Sequence, residues 1–275
     1  MRSKSSVFQP HRWIVCTLVL TGIATVAAAA EETWEKSSDT FMEAVGRAGR
    51  VVVDNPHGNI WVRFGGYEDQ VEIIATQQRL EPDLPKLIVR RERRGEDLEI
   101  RVAQEKSPAE PSFDRRDRID LVLFVPIGRR VELTTVDDDI AVKGLQGDLT
   151  VRTIKGDVSL RKVTGAVNVR SEHGRVVALL ESGVTESDQH IESVTGDLEI
   201  TVYEDATHEV AIATSGIIST DFSLEIEHRR FEEPGKHARA TIGGGGPKLS
   251  MSSKRGKVSL LRQQKFFTQQ AEDPS

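Results

Sequence analysis

Residues 139–183 read DIAVKGLQG, DLTVRTIKG, DVSLRKVTG, AVNVRSEHG, RVVALLESG, with glycine closing every unit at Gly147, Gly156, Gly165, Gly174 and Gly183. Positions two and four of each nonamer are apolar: Ile140/Val142, Leu149/Val151, Val158/Leu160, Val167/Val169 and Val176/Ala178. Alternation with period two is the mark of a half-buried strand, so each unit reads as about five residues of strand and a four-residue corner. Position seven is also apolar in the first three units, at Leu145, Ile154 and Val163. A glycine at the same place in each corner points to a positive φ there.

The beat continues outward at longer intervals. GDLEI at 196–200, SGIIS at 215–219 and RGKVSL at 255–260 repeat the corner and the strand, and PHGNIWV at 56–62 is an earlier copy. Spacings near 18 to 22 residues predict two strands per coil of a β-solenoid, each coil stabilised by stacking on its neighbours. An antiparallel β-sandwich, built as a meander of the same short strands, is the alternative. Before the repeat, Val51/Val53, Val71/Ile73, Leu87/Val89, Leu98/Ile100/Val102 and Ile119/Leu121/Leu123 alternate in the same way. The chain is therefore all-β. The best helical candidate, residues 40–48, is crowded by Gly46 and Gly49. Residues 104–118, with two prolines and a run of mixed charge, read as a polar loop and, with the tail, as a candidate cap for the open ends of the stack.

Three stretches carry a resemblance. They are VVDNPHGNIWV (52–62) followed by an aromatic turn and VEIIAT (71–76), VPIGRRVELTT (125–135), and the G-D-[ILV]-x-[VL] array. Together they resemble the bacterial "putative adhesin" domains of unknown function. The resemblance spans roughly 40–262 and implies an exported protein of stacked β-coils. It brings no catalytic residues.

At the N-terminus Arg2, Lys4 and Arg12 precede an apolar run from Trp13 to Val26 and four alanines. That is the pattern of a secretory signal peptide over 1–30, cut near Ala30. It leaves a single domain over 31–261 and a C-terminal tail over 262–275. The sole cysteine, Cys16, falls in the signal segment, so the exported chain has no disulfide, thiolate metal site or cysteine nucleophile. Cleavage removes three basic residues and leaves 34 Lys+Arg against 43 Asp+Glu, a net of −9. Such a balance argues against a nucleic-acid partner. No other run is long enough to span a membrane.

Few residues point to chemistry. Asp137, Asp138, Asp139, Asp148 and Asp157 recur near the corners and offer carboxylates to calcium, but each unit has one glycine where a calcium-binding β-roll needs more; an acidic corner supporting its turn is the plainer reading. Neither a metal nor another cofactor is expected. Position five is basic four times running, at Lys143, Arg152, Arg161 and Arg170, with side chains outward. Two strands per coil set Lys143 beside Arg161 on one face and Arg152 beside Arg170 on the other. Like charges in such ladders call for anions, supplied by the Asp column or by an anionic glycan or lipid headgroup. Trp61 is a further glycan candidate beside its plainer role in packing.

Catalytic signatures are weak. Glu172, Glu181, Glu186, Asp188 and Glu192 mark the place where a carboxylate pair would support a carbohydrate-active enzyme. His173, His190, His208, His228 and His237 have no zinc spacing, and Gly243–Gly246 lacks the ending of a phosphate loop. The sequence thus favours a non-enzymatic envelope interaction or scaffold module with a protein or anionic glycan partner. An accessory or sensor subunit of an envelope-stress system is the alternative.

Overall fold

A computed structural model describes residues 34–56, 58–80, 86–105, 117–180 and 187–264. The signal segment with Cys16, most of the polar loop 104–118, Gly183, Glu181, Glu186 and the tail from 265 lie outside the described residues.

The chain is all-β. Its strands are β1 (Glu35–Ala44), β2 (Arg50–Asp54), β3 (Ile60–Phe64), β4 (Gln70–Arg79), β5 (Leu87–Arg94), β6 (Asp97–Gln104) and β7 (Asp117–Val125). The repeat region supplies β8 (Arg130–Thr134), β9 (Ile140–Lys143), β10 (Leu149–Thr153), β11 (Val158–Arg161), β12 (Val167–Ser171) and β13 (Val176–Leu179). There follow β14 (Gln189–Ser193), β15 (Leu198–Tyr203), β16 (His208–Thr214), β17 (Ile218–Thr220) and β18 (Glu225–His228). The chain closes with β19 (Lys236–Ile242), β20 (Lys248–Ser253) and β21 (Val258–Gln263). The helical candidate at 40–48 is in fact the end of β1 and the turn after it.

Successive strands of the repeat alternate between two sheets, one of ten strands and one of eleven. Within each sheet, neighbours are parallel and offset by one coil. Val158 pairs with Ile140 and with Val176, and Leu149 pairs with Val131 and with Val167. Each pairing joins residues 18 apart, as two nonamers per coil predict. The inward residues at positions two and four of the described units all enter one buried cluster shared by both sheets. Position seven divides: Leu145 and Val163 are buried, but Ile154 is 37% exposed.

The coils do not stack wholly in chain order. The β2–β3 coil lies between β6–β7 and β8–β9, and the last coil, β20–β21, inserts between β14–β15 and β16–β17. Both ends change to antiparallel pairing. β4 and β1 extend the ten-stranded sheet beyond β7, and β5 covers β6. At the other end β19 and then β18 extend beyond β16. The mixture contains elements of both expected architectures. At the first end the Arg91 guanidinium of β5 lies 3.7 Å above the Phe41 ring of β1, and its Nε donates to Glu43 at 2.7 Å. A cation over an aromatic face, fixed by a carboxylate, ties the two sheet edges together across the end of the core.

Gly58 (φ +139°) and Gly147 (φ +158°) have the positive φ expected of the corners, but the other corner glycines serve a different purpose. Gly156, Gly165, Gly174, Gly196, Gly216 and Gly256 are absent from the positive-φ residues. A Cβ on Gly174 would instead run into the carbonyl of Gly156, one on Gly196 into Gly174, and one on Gly256 into Gly196. The backbones of successive corners touch, and a side chain has no room. Beneath them lies a column of buried hydroxyls. Thr153 donates to the Gly156 carbonyl, Ser171 to Gly174, Ser253 to Gly196 and Thr214 to Gly256. Ser193 and Ser253 accept the N–H groups of Gly196 and Gly256, both at 2.9 Å. Buried backbone polar groups need partners, and the hydroxyls provide them.

Gly174→Ala is expected to cost about 3 kcal/mol or more, since both contacting groups are backbone and neither yields cheaply. Gly95→Ala, at a φ of +66° with nothing near it, should cost about 1–2 kcal/mol. Urea midpoints of the two variants test this order; the reverse order would mean that corner glycine serves backbone conformation after all.

Candidate functional site

The aspartates that follow the corner glycines are occupied by the fold. The backbone N–H of Asp157 donates to Asp139 Oδ1 at 2.9 Å, and that of Arg175 donates to Asp157 Oδ1 at 2.8 Å. The same link joins Asn59 to Asp120, Asp139 to the Asn59 side chain, and Lys257 to Asp197. At the opposite corner Ala166 donates to Asp148, Lys248 to Asp188 and Arg50 to Asp97. Each carboxylate caps the next coil, one stack position away. The column's gaps at Ala166 and Arg175 fall on residues that donate a backbone N–H to the coil before. Among the described residues, no group of three or more His, Cys, Asp or Glu side chains is placed to hold a metal ion.

The basic residues occupy two rows on opposite faces. In the ten-stranded sheet Arg161 pairs with Lys143, and Lys143 with Arg63. In the eleven-stranded sheet Arg152 pairs with Arg170, and Arg170 with Glu192. The four therefore do not form one site. Lys143, Arg152, Arg161 and Arg170 are exposed. None makes an ion pair or side-chain hydrogen bond with a described residue. The internal pairing expected with the Asp column is not present: Asp137 pairs with Lys155 at 3.1 Å and Asp148 with Arg130 at 3.6 Å. Glu192, next to Arg170 in register, lies 3.7 Å from His190 instead.

Arg63 escaped the sequence reading because it sits 80 residues before Lys143, outside the nonamer array. Its Nη1 donates to the carbonyls of Val62 and Ala141, which pins the guanidinium to the sheet surface. Trp61 shares this outer face, half-buried between Val122 and Ala141 in register. The ten-stranded sheet thus offers three consecutive cations, Arg63, Lys143 and Arg161, with an indole on the strand of Arg63, two residues before it.

The other candidates disperse. His173 contacts Thr195, His208 is buried against the Pro247 carbonyl, and His237 contacts that of Pro234. Burial holds the His208 imidazole below its ordinary pKa, against a smaller upward pull from Pro247. His228 is exposed on β18. All four glycines of 243–246 have positive φ, and Gly243 and Gly246 abut the carbonyls of Ala206 and Thr207. This run is a tight crossing between β19 and β20. A groove of about 890 Å³ contains Asp188, Glu209 and Glu225. Asp188 there accepts the Lys248 N–H, and both Glu209 oxygens lie 3.2 Å from the Thr241 hydroxyl. Glu172 and Glu192 are not in this groove.

No family model matches the chain, and no curated protein matches it. Solved structures that it resembles include a "putative cell adhesion protein" from Clostridium sporogenes, at 13% identity and a TM-score of 0.44, covering 82% of this chain and 100% of that one. A "putative adhesin" from Bacteroides fragilis matches at 15% identity and a TM-score of 0.35, covering 82% and 97%. A "putative lipid binding protein" from Parabacteroides distasonis matches at 11% and 0.31, covering 82% and 96%. At these scores the function must be read from this chain's own side chains.

Removing the carboxylate of Asp157 tests the capping role. Asp157→Ala should cost about 1 kcal/mol, the worth of one hydrogen bond. Asp157→Asn should stay within about 0.5 kcal/mol because the amide oxygen can still accept, as Asn59 does in its own coil. EDTA should leave the melting temperature unchanged; a fall would assign these carboxylates to a cation.

Proposed function

We propose that this chain is an exported, non-enzymatic module of the cell envelope that binds an anionic glycan on the outer face of its ten-stranded sheet. The observation that carries the proposal is the row Arg63–Lys143–Arg161: three cations in register, with no acid between them. Strands lie about 4.8 Å apart, so the row repeats its charge at nearly that interval, and the mutual repulsion is relieved by an external chain of negative groups. The nearby aspartates do not relieve it, since they cap coils and pair with other cations. Trp61 on the same face adds a flat apolar surface of the kind on which a sugar ring packs. The row on the opposite face is shorter and ends at Glu192, so it contributes less. The binding needs no cofactor and uses neither nucleic acid nor a membrane span. No helix among the described residues is long and apolar enough to cross a membrane.

A second reading, an accessory or sensor subunit, rests on the same solid stack of coils acting as a scaffold for a protein partner. The two differ in salt dependence, because exposed charge contacts are screened within about 10 Å at 0.1 M salt.

Retention on immobilised alginate under a salt gradient tests the proposal. Lys143→Glu with Arg161→Glu should weaken binding roughly tenfold or more, at about 0.5–1 kcal/mol for each exposed charge contact. Arg152→Glu with Arg170→Glu should weaken it less. Equal retention of all three proteins would overturn the glycan reading, and capture of a salt-resistant envelope protein instead would favour the scaffold.

A further inference from the structure

A second feature lies at the other corner of the stack, near its first end. The turn after β3 (residues 64–69) and the turn between β7 and β8 (residues 126–129) enclose a cavity of about 470 Å³. Phe64, Tyr67 and Ile127 are in its wall and are 50%, 69% and 57% exposed. Large apolar side chains are seldom left in water in a converging group without a partner. Arg129, also in the wall, is only 5% exposed.

The Arg129 guanidinium is held by carbonyls alone. Nη1 donates to Arg47 at 3.0 Å and to Ile127 at 3.1 Å, and Nη2 donates to Glu68 at 2.7 Å. Its Nε–H is buried and has no acceptor. A carbonyl contributes a dipole and no net charge, so a positive charge only 5% exposed stands without an ion-pair partner among the described residues. Arg47 and Glu68, both exposed, also line the cavity and bring one charge of each sign. Arg129 therefore sets the sign of the cavity.

We propose that this cavity binds a small amphipathic carboxylate. The cation matches one negative charge; with three guanidinium N–H groups on carbonyls and Nε buried, the second Nη2 N–H is the one left to meet a carboxylate oxygen. The apolar body of the ligand would cover Phe64, Tyr67 and Ile127. A cavity of this volume suits a small molecule and is too small for a polymer chain. The site is distinct from the basic rows and does not depend on the glycan reading.

Calorimetric titration of the purified protein with decanoate and with 1-decanol tests the assignment. Decanoate should bind one to one and at least about tenfold more tightly than the alcohol, since a hydrogen bond to a charged group is lost in the neutral probe. Arg129 ties three turns together, so Arg129→Gln is read only where its melt shows a folded protein, and there the preference for the acid should vanish. Tyr67→Ser with Ile127→Ser, at exposed positions, keeps the fold and should weaken decanoate about tenfold. Equal affinity for acid and alcohol, no decanoate binding, or an unaltered affinity in the Tyr67/Ile127 variant would each overturn the proposal.

Discussion

Contact of backbone with backbone at the corners is the constraint on which this structure depends. Where Gly156, Gly174, Gly196 and Gly256 lie one above another, the next coil can approach only because no Cβ stands between them. That approach lets Thr153, Ser171 and Ser253 reach the stacked carbonyls, and lets each corner aspartate accept an N–H from the coil beyond. Position along the stack is thereby specified at every turn. A slip by one residue would expose each inward Val, Leu or Ile and bring a side chain into the glycine column.

The proposed function rests on that register. Parallel, in-register stacking turns a repeated residue into a row, so a cation at position five becomes a line of charge on each face. The structure leaves these cations exposed while it uses the acids internally. The last coil enters the stack at a position out of chain order, and antiparallel strands cover both ends. Antiparallel strands thus extend the sheets beyond the outer coils, and the glycan proposal places binding on the long outer face of the ten-stranded sheet.

Much of the fold was legible in the nonamers. The apolar pairs marked the inward face, and the 18-residue offset followed from two units per coil. The reason for glycine was not legible, because a sequence shows which residue lacks a side chain and not what fills the space. Asp139 and Asp157 were legible as corner-supporting acids, but not their donors, which lie 18 residues on; only the structure shows that distance to be one hydrogen bond. The T-x-x-G and S-x-x-G spacings at Thr153, Ser171, Ser193 and Ser253 were a readable signal of the hydroxyl column. Among site residues, position five placed Lys143, Arg152, Arg161 and Arg170 outward, but Arg63 belongs to a coil inserted from an earlier part of the chain. Arg129 carries no pattern at all; its burial comes from three turns that are distant in sequence.

The central claim is that consecutive nonamers lie on opposite sheets and that units 18 residues apart are neighbours. Electron spin resonance on doubly labelled chains measures this directly, with nitroxides at Lys143→Cys and Arg161→Cys in one sample and at Arg152→Cys and Arg161→Cys in another. Neighbouring strands are about 4.8 Å apart and facing sheets about 10 Å apart, with outward labels adding to the second distance. The account predicts strong dipolar broadening for the 143/161 pair and a clearly longer distance for 152/161. Broadening of 152/161 that equals or exceeds that of 143/161 would place consecutive units side by side as hairpins, and would contradict both the coil and the basic rows drawn from it.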